Sequence, residues 1–150
     1  MTPVLRRATP ADIPAMAETF LAARRAMLHI VPMVHPDDSV VPWMRDRLFP
    51  ETRLWVADAG GRIAALMSLG PGWLHHLYAH PDAQGQGIGT RLLSLARQQD
   101  EAAAGLDLWT FQANTGARRF YERHGFRPAE FTDGAGNEEK TPDVRYAWRP

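Results

Sequence analysis

The sequence predicts a mixed α/β protein built on one sheet, and three observations carry that prediction. Short apolar runs rich in Val, Leu, Ile and aromatic residues recur between Gly and Pro turn signals. Segments with apolar residues at helical spacing are interspersed among them. A Gly-rich turn joins one such strand to one such helix. This pattern fits strands and helices sharing a single sheet. The 150 residues fit one domain spanning 1–150, with no internal repeat and no interdomain linker.

The elements follow in order. Val4 to Ala8 reads as a first strand. Thr9-Pro10-Ala11-Asp12 is a helix start, with Thr9 as N-cap, Pro10 in the first turn and an acid close behind. Ile13, Met16, Ala17, Phe20, Leu21, Met27 and Leu28 then recur at helical spacing, and Pro32 stops the helix. Pro32 to Pro42 reads as a loop, either a flap over a site or a packed connector, with the connector favoured. A short helix at about Val41 to Leu48 ends before Pro50. Leu54 to Ala59 and Arg62 to Leu69 form a hairpin about Gly60-Gly61. Trp73 to Ala79 is the next strand, and a helix with Ile88, Leu92, Leu95 and Ala96 on one face follows the Gly-rich turn. Leu106 to Phe111 is a strand, Thr115 to His124 a helix stopped by Gly125, and Phe126 to Phe131 and Val144 to Trp148 the last strands. Asp133 to Asp143 reads as a polar loop.

Composition narrows the function. Basic and acidic residues number 17 each, so the net charge is zero, which speaks against nucleic acid or an anionic membrane as partner. There is no cysteine, which excludes disulfides, zinc-thiolate sites and cysteine nucleophiles. No targeting or membrane-spanning segment is visible, so a cytoplasmic protein is expected. Of the basic residues all but Lys140 are arginine, for which genome base composition is the plain explanation.

The most informative stretch is Gln84-Gly85-Gln86-Gly87-Ile88-Gly89-Thr90. Glycines at a strand-to-helix junction let the backbone approach a ligand and aim successive N–H groups at it, and a helix N-terminus adds partial positive charge, so the turn reads as a phosphate cradle. A nucleotide P-loop would need a Lys here, and the dinucleotide fingerprint would need Gly where Thr90 stands. A Gly-rich turn with no ligand is the bland alternative.

Gln84-x-x-Gly87-x-Gly89 resembles the Q/R-x-x-G-x-G/A signature of the GNAT N-acetyltransferase superfamily. Leu77-Tyr78-Ala79-His80-Pro81 resembles the strand-then-Pro lead-in of that signature. Asn114, Ala117, Phe120-Tyr121 and Gly125-Phe126 resemble the family's second motif. Close agreement spans Trp73 to Arg127, about a third of the chain. The resemblance implies a mostly antiparallel mixed sheet splayed into a V and flanked by about four helices. It also implies acetyl-CoA as co-substrate, with no metal.

By the same resemblance, Gln84, Gly85, Gln86, Gly87, Ile88, Gly89 and Thr90 hold the pyrophosphate, with Arg91 close enough to add a charge. Leu77, Tyr78 and Ala79 pair with the pantetheine arm through the backbone, and a free N–H near Leu77 or Ala79 polarises the thioester carbonyl. Asn114 contacts the arm or orders its loop, and is also placed to cap the Thr115 helix. Tyr121, a phenol with a proton at neutral pH, is the acid that protonates the departing thiolate; otherwise it is a core aromatic. His75 and His76 are the candidate bases, with a water relay or another acid as the alternative. Strand alternation puts His75 with Trp73, Leu77 and Ala79 on one face and His76 with Leu74 and Tyr78 on the other, so only one imidazole is expected to face the cleft.

The expected reaction is direct transfer to a primary amine in a ternary complex, since a chain without cysteine forms no acetyl-cysteine. The acceptor is expected to be a small-molecule amine, and the protein a monomer or homodimer. A protein or peptide acceptor and a non-catalytic acyl-CoA-binding domain are the alternatives. Segment 128–143 carries Glu130, Asp133, Glu138, Glu139 and Asp143 against Lys140, and would favour a cationic amine if it bordered the cleft. Segment 112–127 carries Arg118, Arg119, Arg123 and Arg127 against Glu122, beside the expected cofactor.

Overall fold

The computed structural model describes residues 2–150. Its strands are β1 (Val4–Arg7), β2 (Arg53–Ala59), β3 (Arg62–Gly70), β4 (Trp73–Ala79), β5 (Leu106–Phe111), β6 (Arg127–Thr132) and β7 (Asp143–Trp148). They form one sheet in the order β1-β2-β3-β4-β5-β7-β6. Every pairing is antiparallel except β4 with β5. That parallel pair touches at one register position, Trp73 against Asp107, and then diverges. The expected V is this divergence.

Four helices cover the two faces. On one face lie α1 (Ile13–Arg25) and α2, whose three parts are Val40–Trp43, a π turn at Met44–Leu48, and Phe49–Glu51. Met16, Ala17, Val40, Met44 and Leu48 bury themselves there against Leu54, Val56, Ile63 and Leu66. On the other face α3 (Ile88–Arg97) packs Ile88, Leu92, Leu93 and Ala96 against Ala65, Met67, Leu106 and Tyr146. Tyr121 of α4 (Thr115–Arg123) joins that second core, together with Phe126. Two layers of helix on one twisted sheet bury both faces of its central strands.

Three boundaries differ from the sequence reading. The first helix stops at Arg25, and 26–30 continue as tight turns closed by Met27 N–H to Arg24 C=O (3.0 Å) and Ile30 N–H to Met27 C=O (2.8 Å). Leu28 is exposed, so the apolar stripe leaves the core before Pro32 and nothing holds the last turn helical. The expected loop 32–42 is shorter, because Asp37–Ser39 already form a 3-10 turn ahead of α2. Two acids in that first turn complement the helix dipole, and Ser39 Oγ donates to Pro36 C=O (2.6 Å). The helix also runs through Pro50. Phe49 N–H reaches back five residues to Met44 C=O, and Pro50, which lacks an N–H of its own, follows this wide π turn in the closing Phe49–Glu51 segment.

Candidate active site

The site begins where β4 leaves β5. His80 N–H bonds to Ala64 C=O (2.8 Å), on the β3 side. The period of two then turns the Tyr78 and His76 backbone toward β3, and the Leu77 and Ala79 N–H groups toward the β5 side, where the strands have parted. Ala79 C=O, which points the same way, takes the Gln84 side-chain amide at 3.3 Å instead of a strand partner.

The Gly-rich turn continues this open edge. Gly85 and Gly87 sit at φ +79° and +78°, in the left-handed region where a side chain would be strained. No protein group among the described residues accepts from the backbone N–H groups of Gly85 through Thr90; the first α3 bond is Arg91 N–H to Gly87 C=O (3.1 Å). This run of donors at the helix N-terminus is free for a ligand. A Cβ built at Gly85 or Gly87 meets only open space, so the turn presents bare backbone to the cleft.

A cleft of about 740 Å³ follows the gap from α1 to α3. Of the residues the sequence singled out, His75, His76, Leu77, Tyr78, Ala79, Gln84, Gly85, Gly87, Ile88, Gly89, Thr90, Asn114 and Tyr121 all line it. Gln86 does not; its amide turns back to Asp82 C=O. Arg91 is also turned elsewhere, donating to Pro3 C=O at 2.9 Å. Of the 112–127 arginines, Arg123 lines the cleft, while Arg118 is held by Tyr146 Oη (3.0 Å).

Asn114 caps α4, its Oδ1 accepting from Ala117 N–H (3.2 Å). Tyr121 lies in the second core, edge-on to Phe120 and Phe126, while lining the cleft. Burial, with Tyr78 adding to it, pushes its phenol well above the usual range, so it keeps its proton at any working pH.

The two histidines depart from simple alternation. Ser68 pairs with His76 but Leu69 pairs with Leu74, so His75 is the extra residue of a β-bulge. The bulge resets the parity. Leu74 packs in the α3 core, whereas His76 lies edge-on to Trp43 (5.4 Å) and close to Tyr78 (6.2 Å) on the α1–α2 side. His76 and Leu74 therefore do not share a face, and both imidazoles line the cleft. His75 is exposed and stacks on Trp73 (6.3 Å), with no hydrogen-bond partner on its ring among the described residues. His76 Nδ1 is 2.8 Å from the fully buried Ser68 Oγ. Burial, then His75 and Arg24, push His76 down to about 4, and partial burial lowers His75 as well. Both are neutral at pH 7.

Across β4 lies a second cavity of about 750 Å³, sharing His75, His76 and Tyr78 with the first. Phe20, Trp43, His76 and Tyr78 form a closed ring of aromatic contacts on its wall, with Phe20 5.5 Å from Trp43 and 5.1 Å from Tyr78. Trp43 puts α2 in that wall, so the segment is both a packed connector and a boundary of the site. Glu138 and Glu139 line the opposite rim, where His35 Nε2 meets Glu138 at 3.1 Å. The Asp133 to Asp143 loop is tied down by Asn137 Nδ2 to Thr141 C=O (2.8 Å) and Lys140 Nζ to Ala135 C=O (2.8 Å). Ser68, Arg24 and Phe20 carried no functional signal in the sequence. They belong to no local motif and reach the site only through the tertiary fold.

An unzipped parallel pair beside a bare backbone cradle leaves one continuous edge of unpaired donors open to a ligand. The family model of the acetyltransferase (GNAT) domain matches residues 50–128, and the chain belongs to that family. A Mycobacterium tuberculosis protein named "Probable N-acetyltransferase" is 34% identical over 80 residues, covering 49% of this chain and 45% of that protein. The chain spans about half the length of the curated relatives it matches. Among solved structures, a GCN5-related N-acetyltransferase from Rhodopseudomonas palustris superposes with a TM-score of 0.79 at 22% identity, over 100% of this chain and 97% of that one. YncA of Salmonella typhimurium, solved with its cofactor acetyl-CoA, gives 0.73 at 21% identity, over 99% and 94%. The fold is the GNAT fold. Among the described residues no helix is long and apolar enough to cross a membrane.

Proposed function

We propose that this chain is an N-acetyltransferase that passes the acetyl group of acetyl-CoA directly to a primary amine of a small molecule. The observation that carries the reading is the continuity of unpaired backbone donors, from Leu77 and Ala79 on β4 to the Gly85–Thr90 turn. Acetyl-CoA supplies an activated thioester carbonyl, with phosphates for the turn and an amide arm for the open strand edge. The residues of the chain do the rest. Gly85 through Thr90 hold the pyrophosphate, and Asn114 orders the mouth of the gap. The Leu77 or Ala79 N–H holds the carbonyl oxygen as negative charge gathers on it.

His75 takes the proton of the attacking amine, directly or through water. Its ring nitrogens are unengaged, whereas Ser68 occupies Nδ1 of His76. Tyr121 gives its proton to the departing sulfur; its phenol lines the cleft wall and is protonated there. The amine enters from the α1–α2 side, where Glu138 and Glu139 rim a half-open cavity of about 750 Å³, a size that accommodates a small molecule.

The test is CoA release from acetyl-CoA across a panel of amines, polyamines and peptides, in the wild type and in Tyr121→Phe. We expect amine-dependent release, and a loss in Tyr121→Phe of about a hundredfold or more in rate, with acetyl-CoA still raising the melting temperature. Binding of acetyl-CoA with no release for any amine would mark the domain as a non-catalytic binder. Unchanged turnover in Tyr121→Phe would remove the phenol from the mechanism.

A further inference from the structure

The cavity across β4 holds several charges, and most of them are spent on one another. Arg47 is paired with Glu51 (2.7 Å) and His35 with Glu138 (3.1 Å). Among the described residues Arg24 and Glu139 on its wall have no ionic partner, and Glu138 meets only the His35 imidazole. Arg24 is the unusual one. Its Nη2 donates to Pro32 C=O (3.2 Å) and its Nη1 lies 3.5 Å from Tyr78 Oη, while its buried Nε has no acceptor at all. A guanidinium is an expensive group to half-bury beside Tyr78 with its Nε unfilled. It also repels any substrate that is only a cation, which the acidic rim alone would have favoured.

Resting on the acetyl-transfer reading above, we infer that the acceptor is a free α-amino acid with an apolar side chain, whose carboxylate is bound by Arg24 and Tyr78. The planar fork of Arg matches a carboxylate, and the Tyr78 hydroxyl beside it supplies a further donor. Tyr78 adjoins His76 on β4, the strand whose open edge faces the acyl group. A carboxylate seated there holds the α-amine, one carbon away, at the wall shared by the two cavities, facing His75 and His76. Phe20, Trp43, Met33 and Val34 offer apolar surface to the side chain. Glu139 draws in the ammonium end before the proton is lost. Arg24 on one side and the acidic rim of Glu138 and Glu139 on the other suit the two ends of a zwitterion.

The proposal separates free amino acids from two close relatives. A decarboxylated amine lacks the anion, and an amino acid amide, like the N-terminal residue of a peptide, carries a neutral group in its place. The experiment measures kcat/KM by CoA release for leucine, methionine and phenylalanine, each as the free acid, the primary amide and the decarboxylated amine. In the wild type the acid is expected to lead by about tenfold or more. In Arg24→Gln the ratio of acid to amide should collapse toward one, through KM of the acid. Amides or amines used as well as the acids, or an Arg24→Gln variant that keeps the acid preference, would overturn the assignment while leaving the acetyltransferase reading intact. The wild-type comparison decides even if the variant folds poorly. Absence of turnover with all three classes, while another amine of the wider panel is acetylated, would overturn the amino acid assignment alone, and acetyl-CoA binding measured alongside shows whether the cofactor cleft survives.

Discussion

His76 shows how a single burial sets a protonation state. Its ring is enclosed by Trp43, Tyr78 and Ser68, and burial is the main cause that pushes it down to about 4. In the unfolded chain an imidazole titrates near ~6.5. Below that pH the unfolded chain binds a proton that the folded one refuses, so stability is full above about 6.5 and declines as the pH falls toward about 4, where the folded ring also protonates. The slope from this one group is about 1.4 kcal/mol per pH unit. Urea melts of the wild type and His76→Phe at pH 7 and pH 5 should show the wild type losing more stability on acidification. Equal losses would mean that His76 titrates normally in the folded protein. Tyr121 works in the same direction by other means, since burial keeps a proton on a phenol as it keeps one off an imidazole. Both residue types were legible as candidates from the sequence. Ser68 and Arg24 were not, because a lone serine on a strand and a lone arginine on a helix acquire meaning only from what the fold sets beside them.

At the scale of elements, β4 decides the site. Period-two reasoning puts Leu74 with His76 and lets one imidazole face the cleft, but the bulge at His75 separates Leu74 from His76 and brings both rings to the wall. A bulge is a mismatch between two strands, so it cannot be read from one of them. The partner strand does carry a mark. Gly70 faces His75, and a Cβ built there falls 2.6 Å from His75 Nε2. Gly70→Ala should therefore swing the imidazole away, lowering turnover in the manner of His75→Ala while acetyl-CoA still binds. Full activity in Gly70→Ala, alongside a crippled His75→Ala, would show that the observed ring position is not the working one. The helices teach a related point. The first ends early although its apolar spacing continues, because Leu28 has nothing to pack against. The second outruns Pro50 by opening a π turn, an adjustment of backbone that propensity rules do not anticipate.

At the scale of the molecule, the seven strands and four helices of the described residues were all legible, because each is written in local spacing. Their order in the sheet was not, apart from what the family resemblance implied. The V between β4 and β5 is the clearest case. The two strands meet at Trp73 and Asp107 and nowhere beyond, a property of the whole sheet that leaves one backbone edge unspent. The Gly-rich turn was readable as a cradle from its glycines, and the structure adds that its donors run on from that edge. The neutral total charge likewise resolves into local arrangements. Of the five 128–143 acids, Glu130 is taken by Arg145 (3.2 Å), and Asp133 and Asp143 accept hydrogen bonds from Ala135 N–H and Asn137 Nδ2 within the loop, which leaves Glu138, beside His35, and Glu139 at the cavity rim. In the function we propose, this edge positions an acyl thioester for direct attack by an amine. The most direct measurement supplies acetyl-CoA with an isotopically labelled acetyl group, together with an accepted amine, and follows the label by mass spectrometry against CoA released. We expect one labelled amide for each CoA, with no label on the protein at any time. Label found on the protein, or CoA released without labelled amide, would contradict it.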